Sequence, residues 1–128
     1  ALVRDLGIAK LDWVNCYQSR VGPLRWIGPA TDDEIRRAGS DGVPVIVVPI
    51  AFVSEHAETL VELDIEYREL ALQSGVPYYG RVPAVGTTPE FTTGLARLVR
   101  QALTREPGIG CGQSGRACPA EYGGCPCR

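Results

Sequence analysis

The sequence contains no methionine, only one histidine and no long hydrophobic run. A translated chain begins with methionine, so we expect this one to be the C-terminal piece of a longer protein. No apolar stretch reaches the roughly 18–20 residues that a membrane span needs, and the first residues do not resemble a secretory signal. The 15 acidic and 13 basic residues nearly balance, which argues against nucleic acid as a partner. We expect a cytoplasmic location, with peripheral membrane contact left open.

The pattern of apolar residues predicts an α/β fold. The 128 residues, 45% of them hydrophobic, are enough for one globular domain with a modest core. Continuous apolar runs predict strands over residues 11–17, 44–50 and 76–82. Apolar residues at three- and four-residue steps, N-cap candidates Thr31 and Ser54, and an opening Pro89 predict helices over 32–38, 55–73 and 89–103.

This alternation predicts right-handed crossovers between parallel strands. The expected fold is therefore a three-layer α/β sandwich with a small parallel sheet. We assign residues 1–105 to this domain, and the helix ending at Gly7 to the tail of a preceding element. Residues 106–128, rich in glycine, proline and cysteine, form a separate tail.

An unpaired row of acids follows the central predicted strand. Six of the 15 acids lie between Glu55 and Glu69, where Arg68 is the only base. Glu58, Glu62 and Glu66 are four residues apart, so on a helix their carboxylates share one side. Like charges at this spacing destabilise a helix, and a π-bulge would bring them closer into line. A solvated helix face explains such a row as well as a cation or proton-handling site does.

The single histidine, His56, lies among these acids. A lone histidine is more often a hydrogen-bonded structural residue than a ligand. Imidazole beside carboxylate nevertheless suits divalent metals such as Fe²⁺ or Zn²⁺. The neighbouring acids favour its charged form if it is exposed.

Two long segments, QSRVGPLRWIGPATDDE and VPIAFVSEHAETLVELDIEY, closely resemble the ferrochelatase family. The resemblance extends from Leu11 to about Leu103 and implies one of two similar α/β halves, with a porphyrin cleft between them. It implies an enzyme, a lyase that inserts Fe²⁺ into protoporphyrin IX in the last step of heme biosynthesis. The first half, which carries another metal-site histidine, would be the partner of this chain, and we expect the chain alone to be inactive.

The resemblance also implies roles for individual residues. It places His56 and Glu58 in catalysis, with Glu58 as the iron-binding glutamate. Glu62 and Glu66 continue a metal or proton path over a π-helical turn, and Glu55, whose carboxylate lies beside this path, is implied as a further metal-site residue. The residues implied at the porphyrin cleft are Phe52, Trp26, Gln18, Ser19 and Arg20.

The tail adds a second motif, Cys118-x6-Cys125-x-Cys127. Thiolates at such a spacing can hold zinc or an iron–sulfur cluster. The resemblance favours a [2Fe–2S] cluster whose fourth ligand lies outside this chain. A disordered or disulfide-paired end is the alternative.

Two other functions are compatible with the same residues. The chain could be a metal-binding or metal-delivery domain that uses the acid row without catalysis. It could also belong to another tetrapyrrole chelatase, such as a cobalt enzyme for sirohydrochlorin. The loop at Trp26 and the lack of a histidine-rich site disfavour the second of these.

Overall fold

The computed structural model describes residues 1–19, 22–23, 25–105, 108–110, 116 and 118–124. The contacts divide the chain into two compact units, Ala1–Gly86 and Thr87–Arg128. The elements are α1 (Leu2–Leu6), α2 (Thr31–Asp41), β1 (Val45–Val47), a π-helix (Glu58–Glu66), α3 (Tyr67–Gln73), β2 (Tyr79–Arg81) and α4 (Pro89–Leu103).

The first unit contains the predicted parallel sheet. Strands β1 and β2 pair in parallel, with Val45 opposite Tyr79 and Val47 opposite Arg81. The π-helix and α3 connect them, because parallel neighbours need a crossover connection. The α/β class and the parallel pairing are confirmed.

The core of the first unit lies between the sheet and helices α2 and α3. Its buried members are Ile35, Ala38, Ala71, Val76 and Tyr79, with Val45 and Val47 packed against them. Ile46 points to the opposite face of β1 and is 57% exposed, since side chains alternate along a strand. The described part of this unit thus has helices on one face of the sheet, and the predicted third layer stays a prediction.

The strands are shorter than the sequence predicts. The strand predicted over residues 11–17 is wrong, because the structure pairs only Tyr17 of this segment, in an isolated parallel bridge to Ala30. Trp13, in the same segment, is 57% exposed. The strands predicted over 44–50 and 76–82 each keep only three residues. In this chain only one face of the first of these strands is buried, since Ile46 is exposed.

Helix α2 begins and ends differently from the prediction. Ala30 is its N-cap and Thr31 lies buried in the first turn, so the prediction that Thr31 caps the helix is wrong. The helix continues past Gly39 and ends at Gly42, whose φ of 66° is left-handed. Gly39 lies within the helix, at a position that requires glycine because a Cβ there would clash with the carbonyl oxygen of Ser74.

Helix α4 of the second unit has the predicted bounds. Pro89 occupies the first turn, where its missing N–H costs no hydrogen bond. Helix α1 ends at Gly7 with φ 64°, also as predicted. Among the described residues no helix is both long enough and apolar enough to cross a lipid bilayer.

Candidate active site at the π-helix

The acid row lies on a π-helix that follows β1 and its loop. The predicted N-cap Ser54 lies outside it, and Ala57 takes that position instead. Side chains outside the π-helix donate hydrogen bonds to its main chain. Its carbonyl oxygens accept from Gln18 Nε2 at Glu58 (3.2 Å), from the Tyr79 hydroxyl at Leu63 (2.7 Å) and from Arg68 Nε at Asp64 (3.0 Å). Such π segments often occur at functional sites.

A cavity of about 420 Å³ opens beside the first turn of the π-helix. Apolar residues provide most of its wall, as is usual for a ligand pocket. The predicted porphyrin-cleft and metal-site residues that line it are Gln18, Ser19, Trp26, Phe52 and Glu58. The structure therefore brings together side chains that lie up to 40 positions apart in the sequence.

Hydrogen bonds fix the orientation of His56, which contacts Phe52 and Glu58 of the cavity wall but lines neither cavity itself. The hydroxyl of the buried Thr59 accepts from the His56 N–H (2.9 Å) and donates to the His56 carbonyl (3.0 Å). The Glu58 N–H donates to His56 Nδ1 at 3.2 Å. Nδ1 is therefore the ring nitrogen that accepts this bond. The ring meets Phe52 edge to face, with centroids 4.4 Å apart.

Glu62, in the middle of the row, accepts hydrogen bonds from four donors. The donors are the Ser19 N–H (2.9 Å), the Ser19 hydroxyl (2.5 Å), Gln18 Nε2 (3.1 Å) and the Tyr67 hydroxyl (2.9 Å). Burial, followed by the adjacent Glu62 carboxylate, raises the pKa of Tyr67 above its ordinary value. The Tyr67 hydroxyl is therefore a persistent donor, and Glu62 anchors the loop at Gln18 and Ser19 to the helix.

Glu66, the last acid of the row, lines a second and larger cavity of about 1020 Å³. Tyr17, Gln18, Ser19 and Trp26 line both cavities. The first acid of the row, Glu58, thus lines the smaller cavity, and the last, Glu66, lines the larger one. Glu62, between them, is bonded to Gln18 and Ser19, which line both cavities.

Glu55 is directed toward Arg81 at the end of β2. Arg81 donates to both Glu55 carboxylate oxygens at 2.9 and 3.0 Å, and to the two oxygens of Asp64 at 2.7 and 2.6 Å. The guanidinium, with smaller contributions from the Thr59 hydroxyl and the Ala84 N–H, lowers the pKa of Glu55 to about 2. Arg81 likewise lowers the pKa of Asp64. Both acids therefore stay ionised near neutral pH.

Four of the predicted site residues are not among the described residues of the first unit. Arg20, Cys125 and Cys127 are outside the described residues, and Cys118 is exposed in the second unit. Within the part of the chain that the structure describes, no group of three His, Cys, Asp or Glu side chains converges closely enough to hold a metal ion.

The sequence alone did not identify three residues that organise the site: Thr59, Tyr67 and Arg81. Tyr67 falls on the apolar stripe of the predicted helix, and Thr59 has no local signature. Arg81 is a lone base at the end of a predicted strand, 26 positions from Glu55. The six acids with only one base nearby indicate that a basic side chain from elsewhere in the sequence pairs with them, and this pattern could have suggested Arg81.

Comparison with known proteins agrees with this geometry. The family model described as ferrochelatase matches residues 1–103, which is most of the chain. The chain belongs to the ferrochelatase family. This confirms the resemblance of the two long segments.

Curated ferrochelatases of several bacteria resemble the chain along most of its length. That of Caulobacter vibrioides is 57% identical over 119 residues, or 93% of this chain and 34% of the relative. That of Phenylobacterium zucineum is 56% identical over 117 residues, and that of Pelagibacter ubique 45% over 126, covering 98% of this chain and 37% of the relative. The chain therefore spans about a third of the length of these relatives.

Proposed function

We propose that this chain is the C-terminal, iron-binding part of a ferrochelatase, a lyase that inserts Fe²⁺ into protoporphyrin IX to form protoheme. One observation carries the proposal. Glu58, Phe52, Trp26, Gln18 and Ser19 line a single cavity, although they come from three separate stretches of sequence. Family membership supports the same activity.

The reaction needs groups that accept protons. Two pyrrole N–H protons must leave the porphyrin as the metal enters. The exposed Glu58 carboxylate lies at the cavity and is suited to accept them one at a time, releasing the first proton before it takes the second, with the His56 ring held beside it by the Glu58 N–H. Phe52 and Trp26 offer apolar walls against which a flat macrocycle packs.

The remaining acids extend this role along the helix. Carboxylates bind divalent cations and also carry protons, so we propose that Glu58, Glu62 and Glu66 connect the porphyrin with the larger cavity as a metal or proton path. Glu55 belongs to the same proposed metal site, and its carboxylate forms an ion pair with Arg81. Arg20 completes the proposed porphyrin contacts.

The decisive experiment replaces Glu58 in the full-length protein. Glu58→Gln keeps the shape and removes the proton acceptor, and we expect insertion of Fe²⁺ into protoporphyrin to fall about 100-fold or more. Glu69→Gln, on the exposed face of α3, is the matched control and should leave the rate unchanged. Activity near the wild-type level in Glu58→Gln would contradict the assigned role. A full-length protein that binds iron without inserting it would instead be a metal-delivery protein.

The rest of the protein supplies the other wall of the cleft in this proposal. The chain covers about a third of its relatives, and the Ile46 face of the sheet is open in the first unit. We propose that further chain covers this face and completes the three-layer sandwich over residues 1–105. Insertion activity in the isolated 128-residue chain would contradict this.

The tail, residues 106–128, forms a separate part of the proposal. Cys118, Cys125 and Cys127 would provide thiolates to a [2Fe–2S] cluster, and soft thiolate ligands suit that chemistry. Anaerobically purified full-length protein should then contain iron and show visible charge-transfer bands. Their absence would overturn the cluster assignment without affecting the insertion activity.

We also propose a cytoplasmic location with peripheral membrane contact, and cell fractionation would test both.

A further inference from the structure

Arg81 is a charged side chain at the end of the sheet that forms ion pairs with Glu55 and Asp64 of the candidate site. It stands in the last position of β2 and its side chain is only 8% exposed. Its guanidinium binds Glu55, just before the π-helix, and Asp64, within that helix. Nearly all of its donors are therefore committed to two carboxylates from segments nine positions apart.

The segment between these two acids carries the proposed chemistry. His56 and Glu58 follow Glu55 directly, and the Thr59 hydroxyl and the Glu58 N–H fix the His56 main chain and ring. Those bonds are internal to the segment, so they set its shape but not its place in the fold. A contact from another element has to fix where the segment lies.

Three contacts from other parts of the chain do so. Gln18 Nε2 donates to the Glu58 carbonyl at 3.2 Å. Arg81 holds Glu55, whose Oε1 also accepts the Ala84 N–H at 2.9 Å. Arg81 binds Asp64 through two nitrogens, Nε and Nη2, and this bidentate pair fixes the plane of the guanidinium. Its Nη1 therefore meets both Glu55 oxygens from a fixed direction, which one amide bond does not provide.

We infer that Arg81 is a positioning residue for metal insertion, which holds Glu55 and thereby sets Glu58 at the porphyrin cavity, with His56 beside it. This inference rests on the proposed function. Arg81 touches neither cavity, so its effect passes through Glu55. An error of about 1 Å in placing a catalytic group lowers a rate up to about 100-fold.

The test compares variants of the full-length protein in the iron-insertion assay. Arg81→Gln should lower kcat about tenfold or more, with KM for protoporphyrin changed less than about threefold, because the cavity walls remain. Arg81→Lys restores the charge but not the bidentate geometry, and its kcat should lie between those of wild type and Arg81→Gln.

Two control variants separate positioning from folding. Arg37→Gln removes a guanidinium that binds the carboxylates of Asp12, Glu34 and Asp41 and lines neither cavity, and this change should leave kcat unchanged. Val76→Ala weakens the core without touching the site, so its kcat per folded molecule should also be unchanged.

The outcomes distinguish this inference from the function beneath it. A wild-type protein that inserts no iron would refute the proposed function. If wild type is active and Arg81→Gln keeps its kcat, or loses only what Val76→Ala loses, Arg81 is structural and the inference is wrong. If Arg81→Gln does not fold, Arg81→Lys decides, and a wild-type kcat in that variant overturns the inference.

Discussion

Replacing Gly39 with alanine should destabilise the protein, although the same change usually strengthens a helix. Gly39 lies inside α2, where alanine is favoured over glycine by about 0.5–1 kcal/mol. A Cβ at this position would meet the Ser74 carbonyl oxygen at 2.1 Å and its Cβ at 2.8 Å. Helices α2 and α3 pack closely here because the glycine has no side chain.

The size of the effect follows from this overlap. The first obstacle is main chain, which cannot rotate away, so the start of the loop after α3 must shift by about an ångström. Overpacking of this kind costs about 1–3 kcal/mol, which exceeds the gain in helix propensity. We therefore expect Gly39→Ala to lower the free energy of unfolding by about 1–2 kcal/mol.

Gly94→Ala is the matched control. Gly94 lies inside α4, and a Cβ there meets nothing within 4 Å. This change should stabilise by about 0.5–1 kcal/mol, the ordinary helix effect. Urea unfolding of both full-length variants, followed by far-UV circular dichroism, should move the two midpoints in opposite directions. A Gly39→Ala midpoint at or above that of wild type would refute the packing argument.

Three further predictions concern the hydrogen bonds of the site. Tyr79→Phe removes the donor to the buried Leu63 carbonyl and should cost about 1–3 kcal/mol in urea unfolding; no change would mean that water replaces the hydroxyl. Glu62→Ala leaves four donors without their acceptor, and thermal unfolding should show a loss of about 2 kcal/mol or more. Arg81 lowers the pKa of Glu55 to about 2, so the pair's stabilisation is present above the ordinary value of 4.5 and is lost as pH falls toward 2. Acid unfolding of Arg81→Gln should depend less on pH in that range, and an unchanged acid transition would contradict the pairing.

Local patterns in the sequence were sufficient for some elements and not for others. Pro89 and the apolar spacing after it define α4, because both act within the helix itself. The strand predicted over residues 11–17 fails because a strand needs a partner, and this segment pairs only at Tyr17. Strand length depends on neighbouring chain that the apolar pattern does not describe.

The candidate site divides in the same way. The spacing of Glu58, Glu62 and Glu66 predicts that they lie on one helix, which is observed. The partners of these acids depend on the tertiary fold. Ser19 reaches Glu62 across 43 positions, and Arg81 reaches Glu55 across 26. No spacing rule links residues so far apart, so only the structure reveals which acids are held and which face a cavity.

The side chains that bond the carbonyls of the π-helix have a consequence for folding. Two of these donors lie outside the helix: Gln18 is in the loop between α1 and α2, and Tyr79 is in β2. The π-helix therefore has hydrogen-bond partners for its carbonyls that residues 58–66 do not provide themselves. A synthetic peptide of residues 55–73 should therefore adopt ordinary α-helix or coil in water, and the π winding should arise late, after the loop and β2 have docked.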